Sequence, residues 1–407
     1  MSQPSELRQN WRLLGSAGAG ITFSVIVLPY YTIGALVVPV TEAFGWTRAE
    51  FQAAIFFSAG LGALTSPLVG YLSNRYGPRR VALPSMIGLS LGFLLASTVQ
   101  GEVWLLYFAY ACMAILGAGT IPVTWTQAIT ATFNKQRGLA LGIALCGTGL
   151  CGAVMPQFTT YMVAEHGWRA AYVGIGLVPL VFGLPLVYWG FRPSALTVSV
   201  DAPDTANVTG VTLKEAASTA KFWVLLLSIF IVYMAASGIG SNLIPAITDA
   251  GMSAQQAATA LSMFGIAVVL GRLMVGYLVD RYWAPGVGAA TMLLPVIGCG
   301  LLIEPSAFLP TVIAAVLIGM AAGAELDLMS FLAARYFGQK HYAQIYSILY
   351  VPLAICSGGA SLVFAAIYDA TSSYAVSFTL ALGLFAAGGL IMLMLGRYPP
   401  EYAADRT

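Results

Sequence analysis

Charge is what this sequence has least of. Of 407 residues only 8% are Asp, Glu, Lys or Arg while 59% are apolar, where ordinary soluble domains carry roughly a quarter charged residues. Most of such a chain cannot face water, which excludes a soluble globular protein. Histidine is nearly absent as well. The two present, His166 and His341, sit at the ends of apolar stretches and leave no metal site or catalytic dyad. The five cysteines (Cys112, Cys146, Cys151, Cys299, Cys356) fall inside apolar stretches without paired or metal-ligand spacing, so they read as small packing residues. An enzyme reading therefore has little to stand on, and no cofactor or metal is expected. A net charge of +2 says nothing about nucleic acid, and no nucleic-acid partner is expected. The first apolar segment follows a polar 12-residue start and runs too long for the h-region of a signal peptide.

What the sequence has is apolar length. Segments of about 20 residues or more, enough to cross a bilayer, run at 13–41, 49–73, 80–99, 103–131, 137–164, 168–191, 221–248, 253–279, 284–303, 307–337, 341–368 and 373–396. These twelve predict an all-α multi-pass membrane protein. With both termini cytoplasmic, fifteen Lys and Arg residues lie inside, only Arg48 and Arg169 outside, and Arg272 within the membrane. Basic residues concentrate in short cytoplasmic loops, and one helix more or fewer would scramble that bias. The localisation expected is a bacterial-type inner membrane.

The chain also repeats. A shift of 206 residues lays Gly45, Thr47 and Gly70-Tyr71-Leu72 on Gly251, Ser253 and Gly276-Tyr277-Leu278, and Asn74-Arg75-Tyr76 on Asp280-Arg281-Tyr282. Six helices per half is the construction of parallel-repeat secondary transporters. The predicted organisation is a six-helix bundle over 1–192, a polar Thr/Ser/Asp-rich linker over 193–220 and a second six-helix bundle over 221–407.

Gly70-Tyr71-Leu72-Ser73-Asn74-Arg75-Tyr76-Gly77-Pro78-Arg79-Arg80 resembles the loop between helices 2 and 3 of the major facilitator superfamily, and Gly276 to Arg281 resembles its weaker second copy. FGWTRAEF (44–51), RGLALGIALCGTGLCGAVMP (137–156) and the run bearing Arg272 are similar to the monocarboxylate transporter and oxalate/formate exchanger branch. The resemblance implies two pseudo-symmetric six-helix bundles, alternating access and a small carboxylate substrate. It implies gating for Gly70, Asn74, Arg75, Gly77, Arg79, Asp280 and Arg281, with asparagine at position 74 where the family usually has aspartate. Members often add a second cation on helix 1 or helix 11. Here Thr32 stands near the helix 1 position, and helix 11 has no lysine beyond Lys340.

Arg272 is the sharpest local signal. A guanidinium in mid-membrane costs about 2.5 to 3.5 kcal/mol on insertion scales, so it normally faces a bundle interior and pairs with something negative. A substrate carboxylate is one candidate and a fixed ion pair another. Glu325 and Asp327, halfway along helix 10, are the acidic partners in reach, and two positions apart they project about 200° from each other. One faces the pathway, where substrate and carboxylate compete for Arg272 and the loser of the arginine can take a proton; the resemblance favours Asp327. Tyr30, Tyr31, Trp125 and Tyr350 are candidates for the rest of an amphipathic pocket, with core packing the alternative for each. Pro29, beside the two tyrosines, predicts a bend in helix 1.

The expected function is proton-coupled symport of a small organic monocarboxylate by a monomeric protein, since a single buried cation suits a monoanion. An anion exchanger and a proton-driven exporter of apolar or cationic compounds are the alternatives, with a non-transporting sensor behind them.

Overall fold

The computed structural model describes residues 6–133, 137–192, 210–305, 307–338 and 342–399. Most of the expected 193–220 linker, with His341 and Lys340, lies outside them. Among the described residues twelve membrane-length helical elements follow in order. They are α1 (Trp11–Phe44), α2 (Arg48–Tyr76), α3 (Pro78–Ser97), α4 (Val103–Leu116 continued by Pro122–Thr132), α5 (137–166), α6 (168–190), α7 (Ala220–Asp249), α8 (Ala254–Val279), α9 (Ala284–Ile303), α10 (Phe308–Phe337), α11 (Tyr342–Thr371) and α12 (Ala375–Leu393). This is a multi-pass membrane protein of two six-helix bundles, as the apolar segments predict. The elements α5 and α6 join without a loop, at Gly167, whose φ of 81° and ψ of 167° turn the chain in a region essentially reserved for glycine.

The bend in α1 lies earlier than its cause. Helical geometry fails over Phe23–Ile26, one turn before Pro29, because proline offers no N–H to the carbonyl four residues back and its ring crowds that carbonyl. The interruption is tied down from the side: the Val25 N–H donates to Thr120 Oγ1 at 2.9 Å, inside the break of α4 between Leu116 and Pro122. A side chain in the α4 break thus satisfies the interrupted backbone of α1, as the membrane interior requires.

The repeat is visible in detail. Thr47 caps α2 and Ser253 caps α8, each through a reciprocal capping box, with Glu50 and Gln256 as the partners. The halves meet along seams that also obey the 206-residue shift: at Gly34 and Gly240 where α1 crosses α7, and at Gly152 and Gly358 where α5 meets α8 and α11 meets α2. A Cβ at Gly152 would strike the backbone of Gly265, and one at Gly358 the backbone of Phe56. Small residues allow backbones to approach this closely. The described end of the linker is pinned as well, with the Val211 N–H donating to the Phe337 carbonyl at 3.0 Å and a short capped helix, Leu213–Ala217, following it.

Candidate substrate site

The site begins with how α8 and α10 pack. Phe264, Val268 and Arg272 on one helix face Gly319, Gly323 and Asp327 on the other, both sets at four-residue spacing. Side chains at Gly319 and Gly323 would strike the carbonyl oxygens of Phe264 and Val268, so the two backbones are nearly in contact. That closeness brings the charged pair together one turn further on. Arg272 Nε stands 3.1 Å from Asp327 Oδ2 and 3.4 Å from the Gly323 carbonyl oxygen. The arginine side chain is 7% exposed and the aspartate 30%. Arg272 Nη1 is buried with no hydrogen-bond partner. We expect Gly323→Val to force α8 from α10 and break the Nε contact, at about 1–3 kcal/mol. A lowered melting temperature together with lost transport would be the readout, and an unchanged protein would refute this packing.

Glu325 points elsewhere, as 200° of rotation demands. It is buried in the second half beside a void with room for about one water, lined by Ile229, Val232, Met292, Leu328 and Met392, and its Oε1 has no partner. Of the two carboxylates, Asp327 meets the arginine.

The candidate tyrosines form a connected group beside the pair. Tyr31 lies within electrostatic range of Arg272 and Glu325, and its ring meets Tyr30 edge-on at 5.1 Å. The Tyr30 hydroxyl donates across the halves to the Ser237 carbonyl at 3.3 Å. Tyr233 of α7 stands within range of Tyr31, Tyr350 and Glu325, and Tyr350 stacks with Tyr346 at 6.3 Å. Tyr233, Ser237 and Asn242 follow at spacings of four and five residues on α7, roughly one face, which as sequence suggests a gate rather than a pocket; the structure sets Tyr233 beside the other tyrosines. Cys146 of α5 is half-buried within range of both Arg272 and Asp327.

Trp125 does not join them. It is fully buried in the first half, its indole N–H donating to the Thr120 carbonyl at 2.8 Å and its ring set against Phe191 at 4.8 Å. Gly20 leaves room for that ring. The expected pocket wall is a core residue, because its one donor is already used in closing the α4 break.

A second constellation ties the halves at the opposite ends of the helices from the chain termini. The Arg48 guanidinium binds both oxygens of Asp249, at 2.6 and 2.9 Å, donates to the Tyr374 hydroxyl at 3.1 Å and lies 3.9 Å from the centre of the Tyr368 ring. Asp369, from α11, accepts the backbone N–H groups of Arg48 and Ala49 at 3.2 and 2.8 Å, so a carboxylate of the second half caps the N-terminus of a helix of the first. The Tyr374 hydroxyl donates on to Asn242 Oδ1 at 3.3 Å, and Gln52 reaches the Ser241 carbonyl at 3.3 Å. At the same end Gln157 of α5 bonds Thr259 and Gln255 of α8.

The loop at 70–80 holds to its own half. Arg75 donates to the Tyr71 hydroxyl at 2.9 Å, and Arg79 donates to the Tyr188 carbonyl at 2.6 Å. Gly77 takes a φ of 86° to turn between α2 and α3, and a side chain at Gly70 would meet nothing within 4 Å. The Asn74 side chain lies outside the described residues. In the second copy Arg281 lies 3.7 Å from the Tyr277 ring centre and Asp280 closes α8.

The family model described as Major Facilitator Superfamily matches residues 17–351, and again 225–406. The chain belongs to the major facilitator superfamily. It is a transporter of that type, not an enzyme. Among curated relatives, this facilitator is 26% identical to monocarboxylate transporter 13 of Rattus norvegicus, over 92% of its own length and 89% of the relative's. It is 25% identical to human monocarboxylate transporter 11 over 83% and 72% of the two chains. It is also 27% identical to the fujikurins efflux protein of Gibberella fujikuroi, over 68% and 57%. Among solved structures, a bacterial homologue of the human lysosomal transporter Spinster, inward-facing and occupied, shares the fold with a TM-score of 0.67 at 16% identity, over 97% and 96% of the chains.

Proposed function

We propose that this transporter moves a small organic monocarboxylate by alternating access, coupled to a proton. The observation that carries the reading is Arg272, a buried guanidinium whose Nε is taken by Asp327 while Nη1 has no partner. A guanidinium carries five donors in one plane, and a carboxylate can take its terminal nitrogens side by side. Among the described residues Arg272 is the buried basic side chain, which supports one negative charge in the cargo rather than two. Tyr30, Tyr31, Tyr233 and Tyr350 then surround the apolar remainder with rings. Similarity to proteins named monocarboxylate transporters supports the same reading.

Asp327 and the substrate compete for one cation. When substrate draws the guanidinium away, Asp327 is left without its counter-charge in a low-dielectric setting and accepts a proton. Arg48, Asp249 and Asp369 hold the far side shut, and the halves 1–192 and 221–407 rock about the seams, joined by 193–220. Gly70, Asn74, Arg75, Gly77, Arg79, Asp280 and Arg281 guide the two halves at the other side. Both termini are cytoplasmic, the membrane is an inner membrane and the transporter is a monomer.

Purified protein in liposomes, given a panel of labelled monocarboxylates with and without an inward-acid pH gradient, tests this directly. Accumulation of one of them with the gradient supports the proposal, and no carboxylate flux under either condition sinks it. Asp327→Asn should bind the carboxylate more tightly, because the competitor has lost its charge, and should exchange it without gradient-driven accumulation. Accumulation at the wild-type level would remove Asp327 from the coupling. The similarity to a fungal efflux protein favours a second reading in direction alone, export in place of uptake, which the orientation of flux against the gradient decides.

A further inference from the structure

At the end of the bundle that carries both chain termini, the start of α1 and the close of α6 form a pocket of about 220 Å³ lined by Gln9, Asn10, Arg12, Leu13, Trp189, Gly190 and Arg192. It is far larger than a hydration site, since one water occupies roughly 30 Å³ of liquid. Its walls are fixed by packing. A Cβ at Gly190 would strike the Arg12 carbonyl oxygen, so the two helix ends press together, and Trp11 meets Trp189 edge-on at 6.0 Å. The Arg12 guanidinium lies 4.5 Å from the centre of the Trp189 ring and 5.5 Å from that of Trp11. Stacking of this kind holds a guanidinium by its faces and leaves its edge donors for an acceptor. Arg192 approaches the same space from two residues past the end of α6, and among the described residues neither arginine is ion-paired.

We propose that this pocket binds the phosphate of an anionic phospholipid headgroup. Two guanidinium groups on two helix ends suit a phosphate diester, which accepts paired N–H donors. Trp11 and Trp189 are 55% and 50% exposed at the ends of spanning helices, the position in which indole rings mark the level of lipid headgroups. Leu13 adds an apolar side chain to the pocket lining. Basic pockets between spanning helices on the cytoplasmic side recognise headgroups by this chemistry. The site lies in the first half, apart from Arg272, and the proposal stands whether or not the substrate is a carboxylate.

The test is native mass spectrometry of the full chain titrated with phosphatidylglycerol against a phosphatidylcholine background. Wild type is expected to retain one phosphatidylglycerol that the Arg12→Gln/Arg192→Gln variant binds about tenfold more weakly or worse. Arg192→Gln alone, an exposed change with no packing to lose, should fall between them. Arg397→Gln removes a charge at the same end of the other half and should bind as wild type does. Equal retention by the double variant would overturn the proposal, as would an equal loss in Arg397→Gln, which would mean a diffuse surface charge. Displacement of the lipid by millimolar inorganic phosphate or glycerol 3-phosphate would overturn the lipid assignment in favour of a soluble phosphate.

Discussion

Arg272→Gln is expected to lower carboxylate flux on the order of 10- to 100-fold, the loss that follows from removing a charged hydrogen bond of about 1.5 to 3 kcal/mol. Glutamine keeps much of the length of the side chain and a donor, so what disappears is the charge. The variant also strands Asp327, which would confuse lost binding with lost folding. Leaving one member of a buried pair behind costs about 3 to 5 kcal/mol, and Asp327, at 30% exposed, is expected to lose less than that. Arg272→Gln/Asp327→Asn separates the two effects. The double variant should regain the melting temperature while carboxylate flux stays as low as in the single variant. Flux at the wild-type level in the single variant would end the anion-site reading.

The second large effect is at the other end of the helices. Arg48→Gln removes at one stroke two bonds to Asp249, one to Tyr374 and a face-on contact with Tyr368. The pair is partly exposed, at 13% and 30%, and that screening limits its worth to about 1 to 2 kcal/mol, which shifts a two-state equilibrium by roughly 5- to 30-fold. Cys146 offers a native reporter, because it is half-buried beside Arg272 and Asp327. In a Cys112→Ala background, an impermeant thiol reagent applied from the side of Arg48 should label Cys146 at least several-fold faster once Arg48 is glutamine. Asp249→Asn should act in the same direction, and the exchange Arg48→Asp with Asp249→Arg should restore part of the protection. Labelling that does not change would show that the seams alone hold that side closed.

Apolar runs and basic loops were enough to read twelve helices, because hydropathy and charge act locally along a membrane chain. Arg272 and its acidic partners were legible for the same reason: a charge in an apolar run has to be answered. The geometry of helical rotation allowed one of Glu325 and Asp327 at the arginine, and packing of α8 against α10 selects Asp327. Trp125 was misplaced because its environment depends on the break in α4 and on Phe191, 66 residues away, neither of which its own helix announces. The tie at Arg48 was hidden altogether. Its partners stand 201 and more residues off in sequence, at helix ends where isolated charges look like ordinary solvated residues.

Under the 206-residue shift the seam glycines find their counterparts, but the charges of the Arg48 tie and of the Arg272 pair do not. Arg48 corresponds to Ala254, Asp249 to Ala43, Asp369 to Val163, Arg272 to Ser66 and Asp327 to Ile121. The joints occur twice, while the Arg48 tie and the Arg272–Asp327 pair, the proposed lock and cargo site, each occur once. A lineage built this way is free to exchange its cargo by altering one copy of a doubled ancestor, with the moving parts left as they were.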